Sequence, residues 1–403
     1  MTISTPLATN APPLVRTPPE NRWSRCALPL LFGLLGLVFA AWASRIPAIR
    51  DALHLTPGRL GVALLCAGVG GLASFPLAAW MVARYGQARA ALCGGSALLL
   101  ALCCIGFAGN LAALMAALGL LGAAASCFDV AINAIGAAAE KKAGRSIMSM
   151  LHAWFCVGTV TGALTGSLVA SLGIAPDHHF LILAAVMALP LWLACRALHA
   201  SIAFDRGTGA APGPVSPEAA SSHFRLPPRH LMVLGLLGFC GAIAEGGVAD
   251  WSGVFMRDEM GATAGLAPLG YAGFSGAMLV ARVFADRLKD RFGARRVVAG
   301  GGMLAVFGIV LAVIGVDVPV TITGFALTGA GLAGVFPFVF SAAGREGPTA
   351  LAGVATISYC GALAGPPVIG FIAQFAGLQA ALGCLGGLCA AMALIAARAR
   401  SLS

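Results

Sequence analysis

Five ionisable side chains lie inside long apolar runs of the sequence, where they can carry protons or hold a polar solute. They are Asp129, His152, Glu245, Asp250 and Arg282. A charged group inside hydrocarbon costs at least a few kcal/mol, so such groups usually face a cavity and serve function. Carboxyl and imidazole groups take up and release protons, whereas a guanidinium pairs with anions.

Glu245 is the first candidate for carrying a proton. It lies 15 residues beyond His230, which is roughly 22 Å along a helix at about 1.5 Å per residue. No lysine or arginine lies within a helical turn of it. A carboxyl group without a cationic neighbour in an apolar environment favours its protonated form. The alternative is a protonated, hydrogen-bonded glutamate with a structural role.

Asp129, Asn133 and His152 extend the set of candidates. Asp129 and Asn133 are four positions apart, so a helix places them on one face. The pair predicts binding of hydroxyl or amino groups, or proton carriage by Asp129; an interhelical hydrogen bond is the alternative. His152, in the run LHAWF, suits proton relay because imidazole titrates near neutral pH. A packed histidine is equally compatible with the pattern.

Three charged residues, two of them from the set named above, are predicted to act at gates. Asp250 adjoins Trp251, and tryptophan is enriched at membrane interfaces, so we expect Asp250 near the water boundary. Arg282 and Asp286 are four positions apart, which predicts an ion pair beside a gate. Direct binding of the substrate is the alternative.

Aromatic residues in the apolar runs can stack on a sugar ring. The substrate-binding candidates of this kind are Trp154, Tyr271, Phe274 and Tyr359. Positions facing lipid or the protein core are the alternative for each of them.

Membrane-spanning helices are the elements that must position these residues. The chain has 403 residues, of which 59% are hydrophobic and only 10% charged; a soluble domain carries about 25% charged residues. Twelve apolar segments are long enough to span, and only helices satisfy their own backbone in lipid. The segments lie near 25–44, 60–82, 88–108, 110–138, 148–171, 179–198, 230–251, 266–286, 297–315, 318–342, 350–375 and 378–397.

The longest polar interruption divides the chain into two halves of six helices. The predicted divisions are a disordered cytoplasmic tail at 1–22, an N-terminal bundle at 23–199, a cytoplasmic linker at 200–229 and a C-terminal bundle at 230–403. The tail is polar and rich in proline, unlike a secretory signal.

The basic residues predict the orientation of the chain. With the N-terminus in the cytoplasm, 20 of the 25 lysines and arginines fall on the cytoplasmic side and four on the other. The positive-inside rule therefore places both termini in the cytoplasm. The net charge of +10 follows from this topology and does not indicate nucleic-acid binding.

The two halves repeat one another. The connection ARYGQAR at 83–89 corresponds to DRFGARR at 290–296, with Gly86 and Gly293 207 positions apart. A Gly-xxx-Gly row recurs at an offset of 203. Parallel repeats of this kind are typical of transporters that hold their solute between the halves.

The motif DRFGARR resembles the cytoplasmic D-R-x-G-R-R loop of the major facilitator superfamily. Other stretches resemble a bacterial inner-membrane subgroup of mostly unassigned substrate, distantly similar to fucose–proton symporters. They are WASRIP (42–47), FDVAINA (128–134), EGGVADWS (245–252) and GPPVIG (365–370). The resemblance spans residues 25–397.

The resemblance implies alternating access, in which the two bundles rock about a central cavity. It also implies a cytoplasmic latch in which Asp290 pairs with a nearby arginine and with the start of helix eleven. The arginines of this loop are Arg291, Arg295 and Arg296. Ala83 replaces the aspartate in the first-half copy, so the expected latch is one-sided. The symporter relatives place a carboxylate on helix four, which Asp129 matches, and one on helix one, where this chain has none before Asp51.

These features predict a monomeric twelve-helix secondary transporter of the bacterial inner membrane. We expect it to couple a small polar organic solute, sugar-like or an organic acid, to protons. The alternatives are a proton-antiport exporter of drugs or metabolites and a membrane sensor without turnover. No nucleotide loop, metal-ligand cluster or nucleophile constellation is recognisable, so we expect no cofactor and no enzymatic activity.

Overall fold

The computed structural model describes residues 22–144, 147–207 and 229–402, which form thirteen α-helices and a short 3-10 helix. Nearly all of the predicted tail and most of the linker lie outside these ranges. The helices are α1 (Arg22–Ala52), α2 (Pro57–Ala73), α3 (Phe75–Tyr85), α4 (Gln87–Gly106), α5 (Leu111–Ala143), α6 (Met148–Ser171), α7 (Pro176–Gly207), α8 (Arg229–Asp258), α9 (Leu269–Phe292), α10 (Ala294–Ile314), α11 (Val318–Leu332), α12 (Val335–Arg345), α13 (Pro348–Arg398) and the 3-10 helix Arg400–Leu402.

These helices make twelve membrane spans. Nine segments of the described chain are long and apolar enough to cross a membrane, with α11 and α12 counted as one span. A tenth span consists of α2 and α3, bent by 42° around Ser74. Gly377, at φ 86°, breaks α13 into two spans. The twelfth is α9, whose apolar stretch also holds Arg282 and Asp286. The predicted twelve-helix architecture is confirmed.

Polar side chains in the sequence fix where several spans begin. Asn110 caps α5 and Asp317 caps α11; each side chain accepts a hydrogen bond from the backbone N–H three residues on, at 2.9 and 2.8 Å. Such caps satisfy donors that the first helical turn leaves unpaired. Glu140, near the end of α5, accepts from the backbone N–H of Ile147 at 2.8 Å. This contact fastens the start of α6 to the end of α5.

The repeat seen in the sequence has a conformational counterpart. Gly86 joins α3 to α4 and Gly293 joins α9 to α10, and both have φ 81°. This left-handed backbone is easily accessible only to glycine. The two connections therefore turn the chain in the same way at equivalent points of the two halves.

Small residues let equivalent helix pairs approach closely in both halves. Gly158 of α6 lies against the backbone carbonyl of Gly33 in α1. Gly361 of α13 lies against the backbone carbonyl of Phe239 in α8. A Cβ atom at either glycine would overlap that carbonyl, so the rows set the distance between the helices.

The two halves touch on one side of the membrane and separate toward the other. We call the side on which α1 and α8 begin the basic side, because the α3–α4 and α9–α10 connections with their arginines lie there, and the opposite side the far side. On the far side, Gly253 of α8 lies against Pro47 of α1, and Gly61 of α2 against Gly370 of α13. Toward the basic side, α3 packs on α2, α4 and α5, whereas α12 packs on α8, α10 and α13. The central space therefore opens to the basic side.

Candidate functional site

A charged cluster lies where α6, α8 and α9 meet at the middle of the molecule. The Glu245 carboxylate of α8 is 4.0 Å from the Arg282 guanidinium of α9. Arg282 Nη1 also donates to the Cys156 Sγ of α6 at 2.8 Å. Glu245 thus has a cationic neighbour supplied by another helix. The predicted ion pair between Arg282 and Asp286 is not formed, because Asp286 points to the exposed surface of α9.

Both members of the Glu245–Arg282 pair have a side-chain atom that could form a further hydrogen bond. Glu245 Oε2 and Arg282 Nε are buried and have no hydrogen-bond partner among the described residues. The thiol of Cys156 is only a weak acceptor. Buried polar atoms in folded proteins almost always have a partner, so a pair this incompletely satisfied is suited to receiving a ligand.

A cavity that is narrow in this state, at about 10 Å³, borders this pair and combines aromatic with polar side chains. The rings of Tyr271 and Phe274 stack with centroids 6.2 Å apart and planes 21° apart. The remaining lining residues are Phe155, Cys156, Thr159, Glu245, Ser275, Met278 and Arg282. Tyr271 and Phe274, both substrate-binding candidates from the sequence, therefore lie beside the charged pair.

The sequence predicted Asp250 and Trp251 at the water boundary, but the structure does not place them there. Asp250 is half-buried and within electrostatic range of Tyr271. The Trp251 side chain is fully buried and packs near Gly370 of α13. The interpretation of Trp251 as an interfacial anchor is wrong, because α8 continues to Asp258 and its far half is covered by neighbouring helices.

A second polar cluster lies between α5 and α13. Asn133 Nδ2 donates to Asp129 Oδ1 at 2.8 Å and to the Asp129 backbone carbonyl at 2.9 Å. Tyr359 of α13, also a predicted substrate contact, is within electrostatic range of Asp129. Its ring lies 6.2 Å from that of Phe75. The Asp129–Asn133 pair of one half thus faces an aromatic hydroxyl of the other half.

His152 and Trp154 lie on α6, closer to the basic side than Cys156. The His152 ring packs edge-on against Phe32 of α1, with centroids 5.4 Å apart, and interacts electrostatically with Arg282. Trp154 has an exposed fraction of 43%. The structure brings His152 near the charged pair but leaves Trp154 largely uncovered.

The predicted latch residues lie at the connection between α9 and α10 and are open to solvent. Asp290 is exposed and makes no ion pair within 4.0 Å to any described residue. The Arg291 guanidinium stacks over the ring of Phe292 at 5.2 Å. Arg295 is half-buried and Arg296 exposed. In this open state the residues are not engaged in a latch, which stays a prediction for the opposite state.

Four charged residues join the two halves on the far side. Arg50 of α1 donates two hydrogen bonds to the carboxylate of Asp258 in α8, one of them at 2.7 Å. Arg257 of α8 lies 3.4 Å from the carboxylate of Asp51 in α1, and Arg50 lies 2.8 Å from the same carboxylate. We call Arg50, Asp51, Arg257 and Asp258 the far-side lock.

The far-side lock was not predicted, although the sequence holds a signal for it. Arg-Asp occurs at 50–51 and again at 257–258. The offset of 207 equals that between Gly86 and Gly293. The lock therefore consists of the same two residues from each repeat, paired across the molecular two-fold.

Comparison with known proteins agrees with this architecture. Residues 28–359 and 253–402 match the model of the Major Facilitator Superfamily. An uncharacterized MFS-type transporter of Yersinia pestis is 35% identical over 379 residues, covering 93% of this chain and 94% of the relative. The membrane protein MosC of Rhizobium meliloti is 30% identical over 374 residues, covering 91% and 88%.

Solved structures show the same fold at much lower identity. The crystal structure of the nucleoside transporter NupG superimposes with a TM-score of 0.68 at 13% identity, covering 94% of this chain and 99% of that one. The family resemblance noted in the sequence is confirmed, and the relatives are transporters and membrane proteins. The twelve helices, the internal repeat and the relatives together show that the chain belongs to the major facilitator superfamily of membrane transporters.

Proposed function

We propose that this transporter couples a small polar organic solute to protons by alternating access in a bacterial inner membrane. The observation that carries the proposal is the incompletely satisfied Glu245–Arg282 pair of α8 and α9, which contacts the other half through Cys156 of α6. In this proposal both termini are cytoplasmic, so the basic side is the cytoplasmic side, and the monomer is the transporting unit.

Alternating access fits the distribution of contacts between the halves. The far-side lock and the packing of α2 on α13 close one side, whereas toward the other side α3 packs on helices of the first half and α12 on helices of the second. The state described is then the inward-facing one. The opposite state requires the lock to open and the connection around Asp290 to close.

Proton coupling follows from the pairing of one acid with one base at the cavity. While Glu245 is charged, it neutralises Arg282; when it binds a proton, it leaves Arg282 without a counter-charge. Asp129 and His152 are further coupling candidates, since Asp129 is within electrostatic range of Tyr359 in the other half and His152 is within electrostatic range of Arg282. Asn133, Trp154, Tyr271, Phe274 and Tyr359 are the proposed solute contacts.

Purified protein in liposomes, loaded with a pH-sensitive dye, tests the proposal. A thermal-shift screen of sugars, amino acids and organic acids first supplies a solute that binds. Adding this solute should move protons in the same direction as the solute, and Glu245→Gln should abolish the proton signal. The matched control is Glu259→Gln, an exposed acid beyond the end of α8, which should behave as wild type.

The direction of proton flow separates the alternatives. Protons moving against the solute would indicate the antiport exporter. Binding of a solute without any movement of solute or protons would indicate a sensor and would overturn the proposal.

A further inference from the structure

We propose that the transported solute carries a carboxylate, and that Arg282 binds this carboxylate when Glu245 is protonated. The proposal rests on the proposed function, because it assigns the solute class to the same cavity. It treats Glu245 and the solute as competitors for one guanidinium.

The donors of Arg282 give the first argument. A guanidinium has five N–H donors in a rigid fork that matches a carboxylate with two parallel hydrogen bonds. Here one nitrogen donates to the thiol of Cys156, Nη2 lies 4.0 Å from Glu245, and Nε has no partner. A half-buried arginine this poorly satisfied gains strongly from a carboxylate, since charge-assisted bidentate hydrogen bonds are stronger than neutral ones.

The charge of the cavity gives the second argument. Glu245 and Arg282 together are neutral, so a proton on Glu245 leaves one positive charge in a region of low dielectric. An uncompensated buried charge is costly, and an anionic solute removes it. Proton binding and carboxylate binding therefore favour one another, and one proton with one monoanion leaves the loaded cavity neutral.

The other titratable groups around Glu245 do not replace it in this exchange. Cys156 of α6 and Tyr271 of α9 interact with Glu245, but thiol and phenol groups are ordinarily neutral near pH 7. Asp250 interacts with Tyr271, and His152 faces Arg282. In the described part of the molecule, Arg282 is the charged group that interacts with Glu245.

The rest of the cavity lining indicates the rest of the solute. Tyr271, Ser275 and Thr159 offer hydroxyl groups beside the rings of Phe155 and Phe274. A small hydroxylated carboxylic acid presents a carboxylate to the arginine, hydroxyl groups to these side chains and C–H faces to the rings.

Matched pairs of solutes test the proposal with purified full-length protein. Each pair differs by a carboxylate against a neutral group: gluconate with sorbitol, glycerate with glycerol, lactate with propane-1,2-diol, and galacturonate with galactose. Thermal shifts and binding isotherms are measured at about pH 5.5 and about pH 7.5, on either side of the usual titration of a buried carboxyl group. At least one carboxylate should bind at least about tenfold more tightly than its neutral partner, and more tightly at the lower pH.

Three variants assign the effect to the pair. Arg282→Gln should weaken carboxylate binding at least about tenfold, and Arg282→Lys, which keeps the charge but loses the fork, should weaken it less. Glu245→Gln should bind the carboxylate at both pH values as wild type does at the lower one. Arg287→Gln, an exposed arginine on the same helix, is the matched control and should not change binding.

Several outcomes would overturn the carboxylate assignment. No carboxylate binding better than its neutral partner would contradict it, as would Arg282→Gln behaving as Arg287→Gln does. A neutral solute whose uptake moves protons through Glu245 would refute the solute class and leave proton coupling intact. Carboxylate binding that depends on Arg282 without proton movement would support the solute class and refute proton coupling.

Discussion

A single proton can change the charge of the proposed solute cavity because Glu245 of α8 and Arg282 of the neighbouring α9 face each other. The pair is long, at 4.0 Å, so neither group is held firmly by the other. Asp129 is in a different situation: its neighbour is the neutral amide of Asn133 at 2.8 Å. The two carboxyl groups should therefore respond differently to substitution.

Asp129→Asn should lower uptake driven by a pH gradient by roughly tenfold while solute counterflow persists. An amide keeps the size of the side chain but carries no exchangeable charge, and loss of a coupling acid removes the driving force without removing the binding site. Uptake and counterflow in proteoliposomes measure the two effects. Asp317→Asn, at a helix start where asparagine caps as well as aspartate, is the control.

Asn133→Ala should instead lower uptake and counterflow together. Asn133 is a proposed solute contact, so its removal weakens binding whether or not a pH gradient is present. Equal loss of both activities in Asp129→Asn would show that Asp129 binds solute without coupling it to protons.

Sequence reasoning located both acids and placed Asn133 beside Asp129, but it did not find the partner of Glu245. Glu245 and Asp129 stand out because an ionisable side chain in an apolar run is rare. The sequence predicted an ion pair of Arg282 with Asp286 because that acid is one helical turn away. The structure instead places Arg282 beside Glu245 of another helix. Pairing across helices depends on tertiary packing, which periodicity along one helix does not contain.

At the scale of helices, the same packing device recurs in the two halves. α6 lies on α1 and α13 lies on α8 through glycine rows at equivalent positions. Lipid tails are as apolar as the helices, so close van der Waals packing stabilises such pairs instead of hydrophobic burial. The Gly-xxx-Gly row that recurs in the sequence therefore lies on helix faces that pack closely in both halves.

Gly158→Ala and Gly361→Ala should each destabilise the protein by about 1–3 kcal/mol, the usual cost of overpacking. The added methyl group would overlap a backbone carbonyl, and a backbone cannot move aside as a side chain can. Thermal unfolding in detergent measures the effect. Gly300→Ala is the matched control, because nothing lies within 4 Å of the added Cβ; it should be neutral or stabilising, since alanine favours helix over glycine. Unchanged unfolding of both row variants would contradict the packing argument.

For the whole molecule, the proposed alternating access requires an equilibrium between a state open to the basic side and one open to the far side. A substitution shifts this equilibrium only if the lost contacts differ between the two states. The far-side lock is formed in the state described here, so its contacts stabilise that state and not the one open to the far side. Its two arginines and two aspartates derive from the repeat, which explains why the lock is symmetric.

Arg50→Gln should shift the equilibrium toward the state open to the far side. The bidentate contact with Asp258 joins the halves, and an exposed pair contributes about 1 kcal/mol or less while a network contributes more. A loss of about 1.4 kcal/mol changes the ratio of the states about tenfold. Distances between spin labels on α1 and α8 at the far side measure the shift. Arg59→Gln, an exposed arginine on the same side outside the lock, should leave the distances unchanged.

Asp290→Asn should shift the same equilibrium in the opposite direction. Asp290 is exposed and unpaired to any described residue when the basic side is open, so its substitution costs this state nothing. If Asp290 closes the basic side in the other state, only that state loses stability, because a carboxylate at a helix start is favoured by the helix dipole. Both single variants should transport slowly with normal amounts of protein in the membrane.

The double variant Arg50→Gln with Asp290→Asn should recover a distance distribution close to wild type, because the two losses offset each other. A shift by Asp290→Asn in the same direction as Arg50→Gln would show that Asp290 stabilises the state seen here, and the latch would have to be sought elsewhere on the basic side.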